Sequence, residues 1–303
     1  MFLWPFGYLL SKRPFFIMKY LKKFANHSEY VVFTNGQDFL KPNTSVCVNE
    51  YETHFTPEPY DYSQDYLTFV ALENGTFKCS GYTVSYSVDD GATWTSLASN
   101  TNTPTVNAGH KILWKGSLSA SGRFSSTGRF DVQGNVMSLF YGDDFQGRTE
   151  LPYGSPLKRA FSGCTKLINA ENLILPATSV GASAYTQAFT GCTSLVTAPE
   201  LPATQLSSYC YYGMFNGCSS LVKAPDLPAT TLPTQNAYSL MFFGCSSLNY
   251  LKCMAIDGVG GVNTQNWFNG VPTGGTFVKN ANAIWTETFG TSCVPTGWTV
   301  ITA

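Results

Sequence analysis

Phe189-Thr190-Gly191-Cys192-Thr193-Ser194-Leu195, Phe215-Asn216-Gly217-Cys218-Ser219-Ser220-Leu221 and Phe242-Phe243-Gly244-Cys245-Ser246-Ser247-Leu248 are three writings of one phrase, F-x-G-C-[ST]-x-L. Phe161-Ser162-Gly163-Cys164-Thr165-Lys166-Leu167 is a fourth. The glycines of the four copies lie 28, 26 and 27 residues apart, and a degenerate copy, Phe268-Asn269-Gly270, follows 26 further on. A period of this size marks a solenoid, in which each unit is too small to bury its apolar face alone. Neighbouring units then stack into one continuous core.

Within the unit each position has an expected task. Phe161, Phe189, Phe215 and Phe242, with Cys164, Cys192, Cys218, Cys245 and Leu167, Leu195, Leu221, Leu248, form the expected repeat core. The Leu-Val pairs Leu195-Val196 and Leu221-Val222 predict one short parallel strand per unit. It is kept short by the prolines that follow, Pro199 and Pro225, because proline donates nothing to a ladder. Stretches such as Ser207–Phe215 predict one short helix per unit, with the glycine after each Phe as its stop. A tyrosine stands four residues before the Phe in three units, at Tyr185, Tyr211 and Tyr238, which on a helix puts both rings on one face. Those tyrosines read either as packing beside the Phe or as an exposed ligand stripe. Tyr209, Tyr212 and Tyr250 break the pattern and are the expected exposed aromatics, the candidate ligand-binding residues.

The recurring M-F-x-G-C-[ST]-S-L with A-P-x-L-P-A-T, as in Ala198-Pro199-Glu200-Leu201-Pro202-Ala203-Thr204, resembles the BspA-type leucine-rich repeat proteins of anaerobic bacteria and their phages. The resemblance covers about residues 157 to 270. It implies adhesion: non-enzymatic binding, at a cell surface or on a virion, to host protein, glycan or another bacterium.

Upstream, residues 62–145 contain short runs rich in β-branched and aromatic residues, bounded by turns such as Asn74-Gly75 and Asp90-Gly91, and predict a small antiparallel β-sandwich-like domain. Within it, Ser87-Val88-Asp89-Asp90-Gly91-Ala92-Thr93-Trp94 resembles the Asp-box of sialidases and other propeller glycosidases. That resemblance implies a hairpin in which Ser87, Asp89, Gly91 and Trp94 build the turn, remote from any catalytic centre. The expected organisation is α+β and multidomain: an attachment segment over 1–61 with a helix from Lys19 to Tyr30, the β-domain, the leucine-rich-repeat solenoid over 146–274, and a cap over 275–303. Met18 offers a second start, so residues 1–17 read either as part of the protein or as an over-extended start.

The formal net charge is -1, which supplies no basic footprint for nucleic acid. Charged residues make up 12% of the chain, against about 25% in ordinary domains. The apolar N-terminal run is interrupted by Pro5, Lys12, Arg13 and Pro14, too early to span a membrane, and it lacks the order of a secretion signal. Nine cysteines with no C-x-x-C pair read as buried thiols, not as a disulfide framework or a metal site. The three histidines, His27, His54 and His110, stand near no other candidate ligand or nucleophile, and Asp89/Asp90 and Asp143/Asp144 are turn-like pairs. The sequence therefore points to no catalytic residues, cofactor or metal. It predicts an extracellular or virion-borne adhesion or receptor-binding protein. The alternative is a structural phage component joined to other virion proteins through its N-terminal segment, and a homo-oligomer stays open.

Overall fold

The computed structural model describes residues 60–118, 122–233 and 235–303. The expectations placed on residues 1–59, including the helix from Lys19 to Tyr30, lie outside them.

Seven strands come first: β1 (Leu67–Ala71), β2 (Phe77–Ser80), β3 (Val84–Ser87), β4 (Thr95–Leu97), β5 (Lys111–Lys115), β6 (Arg123–Ser126) and β7 (Phe130–Asn135). Strands β4, β3, β5, β1 and β7 lie side by side in that order, every pair antiparallel. Strands β2 and β6 form a separate antiparallel ribbon. Alternation along β2 buries Phe77 and Cys79 and leaves Lys78 and Ser80 half-buried, as expected for a strand with one face on a core. Phe77 and Phe124 of the ribbon meet Phe69, Trp114 and Phe130 of the sheet at ring separations of 5.1 to 5.5 Å. This aromatic layer holds the two sheets together.

A single helical turn, α1 (Ser138–Tyr141), leads into the repeats. There β8 (Leu167–Asn169) and β9 (Leu173–Ile174) both pair in parallel with β7, and β10 (Ser179–Val180) pairs in parallel with β11 (Gln205–Leu206). Near the C-terminus β12 (Tyr250–Cys253), β13 (Thr276–Lys279) and β14 (Thr299–Thr302) form a parallel set. Single bridges close the gap between them, so one ladder runs Asp131, Asn169, Thr197, Lys223, Tyr250, Thr276, Thr299. Tyr62–Ala303 is accordingly one compact unit, and the boundaries expected near 145 and 274 both fall inside it. Among the described residues the regular elements are mostly strands with very few helices, and they include a β-solenoid of about five turns.

The expected helix in each unit is replaced by a chain of tight turns. Ala188 and Thr190 donate to Tyr185 and Gln187, three residues back, whereas Phe189 and Gly191 donate across to Met214 and Asn216 of the next coil. The next coil repeats the alternation: Met214 and Asn216 donate three residues back, while Phe215 and Gly217 donate to Met241 and Phe243. An α-helix would turn every amide inward, but stacked coils need half of them pointing at a neighbour. Nine residues are also too few for a helix to be stable by itself. Every fourth residue is left-handed: Ser183, Gln187 and Gly191; Tyr209, Gly213 and Gly217; Asn236, Leu240 and Gly244. The four-residue spacing of Tyr and Phe is therefore a turn period, not a helical one. The strand expectation also shifts, since the ladder residues of the second and third units are Thr197 and Lys223, one past each Leu-Val pair.

Gly217 has φ +74° and sits over Gly191, and a Cβ built there would meet Gly191 Cα at 3.7 Å, an ordinary contact. Gly217→Ala should thus cost only the left-handed conformation, about 1–2 kcal/mol. Phe215→Ala removes a fully buried ring and should cost about 3–5 kcal/mol. Urea denaturation of both variants checks this order, and the reverse order would contradict a core carried by the stacked rings.

Candidate binding surface

The interior is built from columns. Phe124, Phe161, Phe189, Phe215, Phe242 and Phe268 stack with centroids 5.1 to 5.9 Å apart and ring planes within 23° of each other. The first member comes from β6, so the ribbon acts as the coil on which the repeats start. Beside this column Tyr185, Tyr211 and Tyr238 stack at 5.4 and 6.0 Å and are buried. Thr264 holds the next tyrosine position and is too small to continue it, but Trp267, from the neighbouring methionine position, covers Tyr238 at 6.3 Å. Ala160 and Ala188 stand where later coils have Met214 and Met241, and a void of about 10 Å³ opens between these alanines, Val136 and Tyr185.

Each repeat cysteine lies beside the Phe column and donates its thiol to a phenylalanine carbonyl of the preceding coil. Cys164 reaches Phe124 at 2.8 Å, Cys192 reaches Phe161 at 3.0 Å, and Cys218 and Cys245 reach Phe189 and Phe215 at 3.1 Å. The carbonyls of Phe161, Phe189 and Phe215 also accept the amide of their own coil's cysteine, as Phe189 does from Cys192. Burial pushes the thiols of Cys164, Cys210, Cys245 and Cys253 up to about 12 and raises those of Cys192 and Cys218 well above the ordinary 9.0. These groups stay protonated at neutral pH, so they serve as donors rather than as nucleophiles or metal ligands. The eight described cysteines are all free and buried.

The outer positions obey column rules too, and one coil breaks them. The first left-handed residue of the turn run is Ser183 in one coil and Asn236 in another, and between them stands Tyr209, φ 59°, 38% exposed. Three residues on, Thr186 and Ser239 are small and buried, and their hydroxyls bond the next coil's Tyr209 and Val262 carbonyls at 2.6 Å. Between those two stands Tyr212, half-buried, its ring 5.7 Å from that of Tyr209 and tilted by 56°. Two sites that neighbouring coils fill with small polar residues thus carry adjacent aromatic rings. The third aromatic, Tyr250, lies on the ladder, half-buried, with Lys223 Nζ 5.2 Å from its ring centre. The structure brings Tyr209 and Tyr212 together and places Tyr250 on a different element.

The residues between Ser87 and Thr95 form the β3–β4 turn. Ser87 Oγ accepts the Asp89 and Gly91 amides at 3.3 and 2.9 Å, and Asp89 accepts the Thr93 amide at 2.9 Å and hydroxyl at 2.6 Å. The Ser87 hydroxyl also donates to the Asp89 carboxylate at 2.6 Å, and that bond first, then those from Thr93, hold the Asp89 carboxyl at about 2. Trp94 packs 4.9 Å from Tyr66, and Lys115 Nζ lies 4.2 Å over its ring while bonding Asp143 at 2.8 Å. Tyr66 donates to the same carboxylate at 2.7 Å. Beyond Asp143 a wide, shallow depression of about 540 Å³ is lined by Asp144, Gln146, Gly147 and Arg148. Sequence reasoning missed this assembly because its members are far apart in the chain and none belongs to a repeat.

Among the described residues no group of three or more His, Cys, Asp or Glu side chains is placed to hold a metal, and no helix is long and apolar enough to cross a membrane. Comparison with protein-family models, with curated proteins and with solved structures gave no match.

The thiol columns fix an alkaline response. A thiol raised in the folded state stays protonated while the unfolded chain loses its proton, so stability is full below pH 9 and falls as pH rises toward 12. At pH 10 each thiol near 12 removes about 1.4 kcal/mol. Thermal melts should show a steep loss of stability between pH 9 and 11, with the cysteines becoming reactive to a thiol reagent only as the fold is lost. A flat profile over that range would show the columns to be open to solvent.

Proposed function

We propose that this is a non-enzymatic adhesion or receptor-binding protein of the leucine-rich-repeat type suggested by its BspA-like phrase, and that Tyr209 and Tyr212 form its contact platform. One observation carries the reading: Tyr209 accepts a left-handed backbone, in a column where Ser183 and Asn236 meet that need at lower cost, and it stays exposed. A non-glycine residue held left-handed costs on the order of 1–3 kcal/mol; Gln187 and Leu240 carry the same conformation as part of the turn run, so Tyr209 is set apart by its size and exposure. Burial does not repay it, because Tyr209 sits at the surface and its ring meets that of Tyr212.

The platform suits a neutral ligand. Tyrosine offers a flat apolar face with a polar tip and little rotamer entropy to lose. Tyr209 donates its amide to Gln235 and Tyr212 accepts the amide of Gln187, so the backbone beside the rings carries uncharged carboxamide side chains. A sugar ring, or an uncharged segment of a host surface protein, has that chemistry. The rigid coils beneath would fix the two rings before binding, which lowers the ordering cost of association.

The test separates binding from folding. Tyr209→Asn installs the residue that already works at 236, so the variant should fold at least as stably as the parent. It should lose roughly tenfold or more in affinity for whichever glycan or cell-surface preparation the parent binds on arrays and in pull-downs. Retention of full affinity by Tyr209→Asn combined with Tyr212→Thr would remove these rings from the function.

A further inference from the structure

The ladder that runs through the repeats ends at β14, and among the described residues no strand pairs with its outer side. Thr299 and Ala303 donate inward to Gly275 and Lys279, both at 2.9 Å. By the alternation of a parallel pair, the amides and carbonyls of Val300 and Thr302 therefore point away from the sheet. Sheet edges in soluble proteins are ordinarily blunted by lysine, proline or a bulge. Thr299-Val300-Ile301-Thr302 carries none of these, and Ile301 is 47% exposed. The same terminal coil exposes Ile284 at 74% and Phe289 at 57%. Between 281 and 303 the only charged side chain is Glu287, and it is paired with Lys279 at 3.2 Å.

We propose that β14 is a self-association edge on which a second copy of this chain docks, antiparallel, about a two-fold axis. The occupant follows from the chemistry of the edge. An open strand takes another strand, and a patch whose one charge is already neutralised meets its own image without repulsion. A two-fold contact is also the commonest way for one surface to complete itself. The opposite end of the sheet is a poorer partner, because β4 has three residues, two of them exposed and polar. Register follows as well. Val300 of each copy exchanges both backbone hydrogen bonds with Thr302 of the other, and Ile301 lies opposite Ile301 at a non-hydrogen-bonded site. The sheet then continues from one molecule into the next, with Ile284 and Phe289 beside the joint.

The experiment uses the full chain in sedimentation equilibrium from about 1 to 100 μM, the range in which weak homodimers separate from monomers. A monomer–dimer equilibrium is expected. Val300→Pro, which removes an outward amide and leaves the bonds to β13 in place, and Ile301→Lys, which sets like charges face to face, should each weaken it by roughly tenfold or more. Circular dichroism melts confirm that both variants fold. Ile301→Cys should give a disulfide-linked dimer rapidly on mild oxidation, because Cα atoms about 4.5 Å apart at such a site are within disulfide reach, whereas the parent should not. A monomer at every concentration overturns the proposal. So does a dimer indifferent to these substitutions, or an open-ended polymer, which would mean a head-to-tail joint.

Discussion

Everything in the repeats depends on a carbonyl that accepts twice. The oxygens of Phe161, Phe189 and Phe215 each take the amide of their own coil's cysteine and the thiol of the next coil's cysteine, as Phe189 does from Cys192 and Cys218. Adjacent coils are thereby fixed at a spacing close to that of paired strands, about 4.8 Å. At that spacing the phenyl rings can only stack face to face, and the amides of the turn run must alternate between their own turn and the neighbour. A larger side chain at the cysteine would hold the coils apart. One without a donor would leave the carbonyl with a single bond, as at Phe242, where the next coil has Val271 in the cysteine's place.

The repeat and its apolar columns were legible because stacking forces equivalent positions into chemical identity: nothing but Phe and Cys recurs at 161/164, 189/192, 215/218 and 242/245. The turn run was not. A spacing of four between Tyr185 and Phe189 fits a helix as well as it fits a turn that repeats every four residues, and only the destination of the amides distinguishes them. Gln187, Gly213 and Leu240 occupy one left-handed column, and no propensity scale would group them. Phe124 was equally hidden, since it starts the aromatic stack from a strand that carries no trace of the repeat phrase. The join at β7 escaped for the same reason: parallel pairing of Phe130 with Leu167 is a fact of the stack and not of either segment.

Three tyrosines stood out by their departure from the pattern; the structure leaves Tyr209 exposed and Tyr212 and Tyr250 half-buried, and gives the departure a physical measure. Column mates act as internal controls, because Ser183 and Asn236 show what the backbone at 209 needs and Thr186 and Ser239 show what the position of 212 ordinarily does. Tyr212 gives up the hydroxyl bond that its neighbours make to the next coil. Both changes fall in one coil and leave two rings in contact, whereas Tyr250, on the ladder, is already engaged by Lys223.

A stack of this kind divides its positions by freedom to vary. Inward sites are bound to their column mates on both sides, so a change at one coil strains two others. Ala160 and Ala188 both stand at the start of the stack, where Val136 of the preceding segment and Leu157 of the first coil bound the void that they leave. Outward sites touch a neighbour mainly through the backbone, and a new side chain there disturbs little. On the proposed reading as a binding protein, specificity would collect at a few outward positions of a rigid frame. Tyr209 and Tyr212 have the signature such positions should show: large side chains where small ones would fold better.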